Sequence, residues 1–120
     1  MPTLTECMNN IKKLCKDKGH GLSLEDVPNK LLFAIVEIGE AVDIWKKNGF
    51  TDESVDNIGE ELIDGIFYIL NAYGILREKF PDDVERIQSE YSLPNPDIMF
   101  KYKLKKNKNR PYRYGRSDSK

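Results

Sequence analysis

Two pairs of acids in this chain of 120 residues are spaced for chemistry. Glu37-Ile-Gly-Glu40 interrupts an apolar stretch, with Leu31-Leu-Phe-Ala-Ile-Val before it and Ala41-Val after it. Glu61-Leu-Ile-Asp64 repeats the arrangement between Ile58 and the apolar positions Ile66, Phe67, Ile69 and Leu70. Acids at i and i+3 share one face of a helix. Two such helices packed antiparallel would bring four carboxylates to one level of a bundle, where they repel each other and drive up their own pKa values unless a cation lies between them. An all-oxygen donor set suits Mg2+, with Mn2+ as an alternative, better than zinc. The absence of a Glu-x-x-His pair argues against a ferritin-like di-iron site. A solvated charged face would explain any single Glu; two acidic pairs, each set in an apolar run, favour the cation site. Gly39 and Gly65 each cost about 1 kcal/mol against Ala in a helix interior. They suit close helix approach or ligand access beside the acids.

The elements that must carry these acids can be read from apolar spacing and end signals. Leu4, Cys7, Met8, Ile11, Leu14 and Cys15 recur at three- and four-residue steps, predicting an amphipathic helix over residues 3–18. Gly19-His20-Gly21 stops it. Ser23-Leu-Glu-Asp followed by Pro28 in a first turn predicts a second helix from Pro28 to Lys47, closed by Asn48-Gly49. Phe50-Thr51-Asp52-Glu53 is a fresh cap with acids where the helix dipole favours them. The series Val55, Ile58, Leu62, Ile66, Ile69, Tyr73 and Leu76 then predicts a long third helix ending near Phe80, before Pro81. A short helix over Asp82 to Tyr91, a turn at Leu93-Pro-Asn-Pro-Asp and a last helix from Ile98 to about Lys106 complete the pattern. No sustained alternation of period two argues for strands. The expected fold is all-α, a four- or five-helix bundle, with one domain over residues 1–116 and a frayed tail at 117–120.

The chain's formal charge of −1 conceals an asymmetry. Residues 101–120 hold nine Lys/Arg and one acid, a local charge of +8, which leaves −9 on the preceding hundred residues. Hydrophobic residues make up 39% and charged residues 32%, adequate for one core and consistent with buried surface shared between subunits. No apolar run approaches the roughly 20 residues of a membrane span, and the amino terminus has no signal-peptide pattern, so the expected compartment is the cytoplasm. Cys7 and Cys15, eight positions apart on one predicted helix, are expected to be free, half-buried thiols.

Glu37-x-x-Glu40, a 20-residue interval and Glu61-x-x-Asp64 resemble the ExxE…ExxD signature of the all-α, MazG-like nucleoside triphosphate pyrophosphohydrolases, relatives of dimeric dUTPases and dCTP pyrophosphatases. The segments VPNKLLFAIVEIGEAVDIWKKNG and IGEELIDGIFYILNAYG resemble the two central helices of the short members. KLKKNKNRPYRYG is similar to the tail of one branch, and the likeness spans about residues 5–116. The chain departs from the family pattern at Val36, where many members have a further acid, and at Tyr114, where the branch usually has His.

The resemblance implies that Glu37, Glu40, Glu61 and Asp64 bind Mg2+, and that the substrate is a nucleoside triphosphate cleaved between its α and β phosphates to a monophosphate and pyrophosphate. By analogy with the first acid of the motif, Glu37 is the candidate for activating water. Lys103, Asn107 and Arg110 match polar positions of the family tail and fall at a four-then-three spacing, so they are candidates for phosphate contact. A nucleic-acid surface built from the basic tail and Tyr102, Tyr112 and Tyr114 is the weaker reading, as is a merely solvated tail. Phe33, Trp45, Phe67 and Tyr68 are read chiefly as core, with one of them free to stack on a base, and His20 as a loop residue. The expected assembly is a homodimer or homotetramer without membrane association. The alternative function is a catalytically inert nucleotide- or metal-binding regulatory bundle.

Overall fold

Helix-end chemistry sets where this chain turns. In the computed structural model, which describes residues 1–81 and 93–110, Thr3 caps helix α1 (Leu4–Asp17): its side chain accepts from the Glu6 amide, and Glu6 reaches back to the Thr3 amide at 2.8 Å. The chain leaves α1 through Gly19, whose φ of 76° places it where a side chain is disfavoured. A single 3-10 turn, Leu24–Asp26, then leads into α2 (Val27–Asn48), with Pro28 in its first turn. Gly49, with φ 65°, ends α2. Thr51 and Ser54 cap α3 (Asp52–Lys79) reciprocally, and the Ser54 hydroxyl also donates to the Gly49 carbonyl at 2.7 Å. This three-residue connection forces α2 and α3 into an antiparallel hairpin, the most extensive packing in the structure. Helix α4 (Pro96–Lys108) starts at Asn95, whose side chain accepts from the Ile98 amide.

The described residues hold four α-helices and no strand beyond an isolated bridge between Pro81 and Leu93. The all-α expectation holds, and the four helices it shares with the described residues begin and end within about two residues of the sequence reading. The predicted short helix over Asp82–Tyr91 and the tail from residue 111 lie outside the described residues. No helix among the described residues is long and apolar enough to cross a membrane.

Helix α1 lies on α3 through Met8, Ile11 and Leu70. Gly74 of α3 permits this approach, since a Cβ there would press on the Met8 side chain at 3.1 Å. Lys12 and Glu78 pair across the same seam at 3.0 Å. Val27, Ala72 and Ile75 form a second cluster where α2 begins. The Tyr73 hydroxyl donates to the Pro94 carbonyl at 2.8 Å, tying α3 to the segment before α4, and burial pushes its pKa up to about 12. Helix α4 docks on α1 through Asp97, which accepts from the amides of Leu4 and Thr5 and from the Thr5 hydroxyl. A carboxylate there meets the positive end of α1.

Among the described residues the core of one chain is thin: its buried apolar members are Met8, Ile11, Val27, Ala34, Ala41, Leu70, Ala72 and Ile75, three of them alanines. Meanwhile one flank of the hairpin leaves large apolar side chains in water. On α2 these are Leu32, Ile35 and Val42, with Ile35 63% exposed; on α3 they are Val55, Leu62, Ile66 and Ile69. Gly39 completes the first row and Gly59 the second, and nothing lies within 4 Å of a Cβ placed on either. Both rows step by alternating threes and fours, the spacing of a helix-packing seam.

Candidate metal centre and adjoining cavity

The acids lie away from these rows, although Asp64 shares a surface depression with Val55 and Gly59. Ala34 and Ala41 turn inward toward α3, and Glu37, nearly one turn on from Ala34 and about 60° from it around the helix, is carried to the edge of the interface. On α3, buried Gly65 faces the same contact: a Cβ there would meet the Ala34 carbonyl at 3.7 Å and the Glu37 Cβ at 3.8 Å. The helices therefore meet closely beside the acids, although a methyl group would fit at ordinary contact. Gly39 lies instead on the outer apolar row.

Carboxylate oxygens of Glu37, Glu61 and Asp64 lie within 4.8 Å of one another, with the two glutamates half-buried and Asp64 exposed. Glu40 stands outside this trio and is exposed. Its charge is still felt, because Glu61 titrates above the ordinary glutamate range. Loss of water between the helices is the largest cause, followed by a hydrogen bond with Glu37 and by repulsion from Glu40, Glu37 and Asp64. Three oxygens at this separation could hold a hard divalent cation, and the donor set contains no sulfur or imidazole to select a softer one.

Glu37 and Asp64 also line a cavity of about 530 Å³ walled by α1, α2, α3 and the connection after α1. Phe33 and Tyr68 form one wall, their rings 5.4 Å apart and inclined at 40°. Phe67 and His20 line it as well, whereas Trp45 packs on Phe50 at 6.1 Å outside it. Asp26 reaches the cavity from the 3-10 turn, where its carboxylate accepts from the Ser23 amide and hydroxyl at 2.9 Å; these bonds hold its pKa below the ordinary range. Gly21 lies against this carboxylate, which a Cβ would displace.

Comparison of the chain with family models, curated proteins and solved structures finds no match. The geometry therefore stands on its own. Sequence reasoning passed over Asn71, which is 3% exposed, lines the cavity, and has no hydrogen-bond partner for Oδ1 among the described residues. Its one signal is a carboxamide in the apolar run Ile69-Leu70-Asn71-Ala72, seven residues after Asp64. Lys103, Asn107 and Arg110 are exposed; the first two lie on α4, Arg110 just beyond it, and none of them lines the cavity. Cys7 and Cys15 are free, half-buried thiols, as expected.

Proposed function

We propose that this chain is a divalent-cation-dependent nucleoside triphosphate pyrophosphohydrolase. The observation that carries the reading is the meeting of Glu37, Glu61 and Asp64 from two helices at the edge of an aromatic-walled cavity. Glu37, Glu61 and Asp64, with Glu40 beside the trio, would hold Mg2+ or Mn2+, which would neutralise the phosphate oxygens. Glu37, oriented by its packing beside Ala34 and Gly65, accepts the proton of a water attacking the α phosphorus. The bond from the α phosphorus to the bridging oxygen breaks, and pyrophosphate leaves with that oxygen. Lys103, Asn107 and Arg110 bind phosphate oxygens, reached from α4 of a neighbouring copy.

The working unit in this reading is a homodimer or a dimer of dimers. The two exposed apolar rows on α2 and α3 support it, because pairing them with the same rows of a second copy completes a four-helix core that one chain lacks. The acids, away from these rows, stay open to substrate.

The test is pyrophosphate release from each dNTP and NTP with Mg2+ or Mn2+. Release of pyrophosphate and the matching monophosphate supports the reading. Metal or nucleotide binding without release from any of them would replace the enzyme with an inert regulatory bundle.

A further inference from the structure

A buried carboxamide whose oxygen has no hydrogen-bond partner among the described residues lines the wall of the cavity. Asn71 is 3% exposed and its Oδ1 has no hydrogen-bond partner among the described residues. Leaving such an acceptor unmet costs about 1–3 kcal/mol. The neighbouring α3 residues Leu70 and Ala72 are buried and apolar.

Its position along α3 is informative. Asp64 and Asn71 are seven residues apart and line the same cavity, so they sit two turns apart on one face, roughly 10 Å along the helix axis. A ligand that places charged oxygens near Asp64 therefore presents a second, separate part of itself to Asn71. Between the two lies the Phe33–Tyr68 wall, whose faces offer a surface for a flat ring. A carboxamide presents an acceptor and a donor side by side, the complement of a heterocycle edge that sets an N–H beside a ring nitrogen or a carbonyl.

Building on the nucleotide reading above, we infer that this cavity seats the nucleobase against Phe33 and Tyr68, and that Asn71 is the residue that reads its hydrogen-bonding edge. The phosphates then lie toward Glu37 and Asp64. Asn71 acts on binding and discrimination, and the proton transfer at the α phosphorus does not involve it.

Two measurements test this on the full chain. In calorimetric titrations with Mg2+, the probes are the four dNTPs and inorganic tripolyphosphate, which carries charge without a base. Asn71→Leu, which keeps the heavy-atom branching without the polar atoms, is expected to weaken dNTP binding about tenfold or more and to leave tripolyphosphate within about twofold. Because a buried substitution can disturb folding, the second measurement uses the unaltered protein: deoxynucleosides without phosphate are added while the side-chain amide resonance of Asn71 is followed by NMR. A saturating shift of that resonance is expected. If tripolyphosphate binds but Asn71→Leu keeps full dNTP affinity, or if nucleosides leave the resonance unmoved, the base-reading role is wrong while the acidic phosphate site survives. If no dNTP and no tripolyphosphate binds, both readings fall.

Discussion

Glu37 of α2 and Glu61 of α3 bring carboxylate oxygens within 4.8 Å of each other across the hairpin, an approach that two ionised acids resist unless a proton or a cation lies between them. Water loss and the surrounding acids favour the protonated form of Glu61, so the metal-free site is held together against its own charge. Glu61→Gln removes that repulsion. The expected outcome is a metal-free melting temperature equal to or above that of the unaltered chain. The rise in melting temperature on adding Mg2+ or Mn2+ should shrink or vanish. Differential scanning fluorimetry with and without the metal reads both; a metal-free loss together with an unchanged metal increment would remove Glu61 from the metal set.

Glu37 leaves α2 where the helices approach closely, since a Cβ added at Gly65 would meet the Glu37 Cβ at 3.8 Å. It also lines the cavity, which suits a proton acceptor facing substrate. Glu37→Gln preserves shape and hydrogen bonding while removing the basic oxygen, so pyrophosphate release should fall by about 10²–10⁴-fold with dNTP affinity largely kept. Rate and calorimetric affinity measured on one preparation separate the two effects. Retained turnover would assign water activation to another acid.

The apolar rows predict the state of the protein in solution. Ile35 and Leu62 lie near the middle of the two rows, 63% and 47% exposed in one chain. Burying each such side chain is worth roughly 1.5–3 kcal/mol. Light scattering coupled to size exclusion should find the unaltered chain as a dimer or larger at micromolar concentration, and Ile35→Lys with Leu62→Lys as a monomer with a lower melting temperature. A monomeric unaltered chain would leave the rows without a partner of their own kind.

How much of this was legible beforehand differs from feature to feature. Thr51, Gly49 and Gly19 wrote their helix ends into the sequence because each satisfies a local backbone need, independent of the rest of the fold. The acid pairs were legible for a related reason: an i, i+3 spacing fixes the face, and a three-residue turn fixes the antiparallel partner. Glu40 shows the limit, since a few ångströms of helix offset decide whether a fourth carboxylate joins the trio. Asn71 was not legible, because its burial depends on α1 and the connection after it closing over α3. Nor was the distance of Lys103 from the acids, which depends on where Asp97 docks α4.

That dock is itself pH-dependent. The Thr5 hydroxyl and amide, and then the Leu4 amide, hold the Asp97 pKa below the ordinary aspartate range. A group whose pKa is lowered on folding stabilises the fold above its unfolded value and loses that contribution as pH falls through the lowered, folded value. The α1–α4 contact should therefore be intact and insensitive to pH from neutrality down to the upper edge of the aspartate range, and release only in stronger acid. Asp97→Asn keeps one acceptor but loses the charge at the amino end of α1, so its expected effects are faster amide exchange at Leu4 and Thr5 and a lower melting temperature at neutral pH. In strong acid, where Asp97 is protonated, the difference between variant and unaltered chain should narrow. Hydrogen exchange at Leu4 and Thr5 across that range decides it: a difference that stays constant in acid would mean that packing of α4, rather than the Asp97 charge, holds the two helices together.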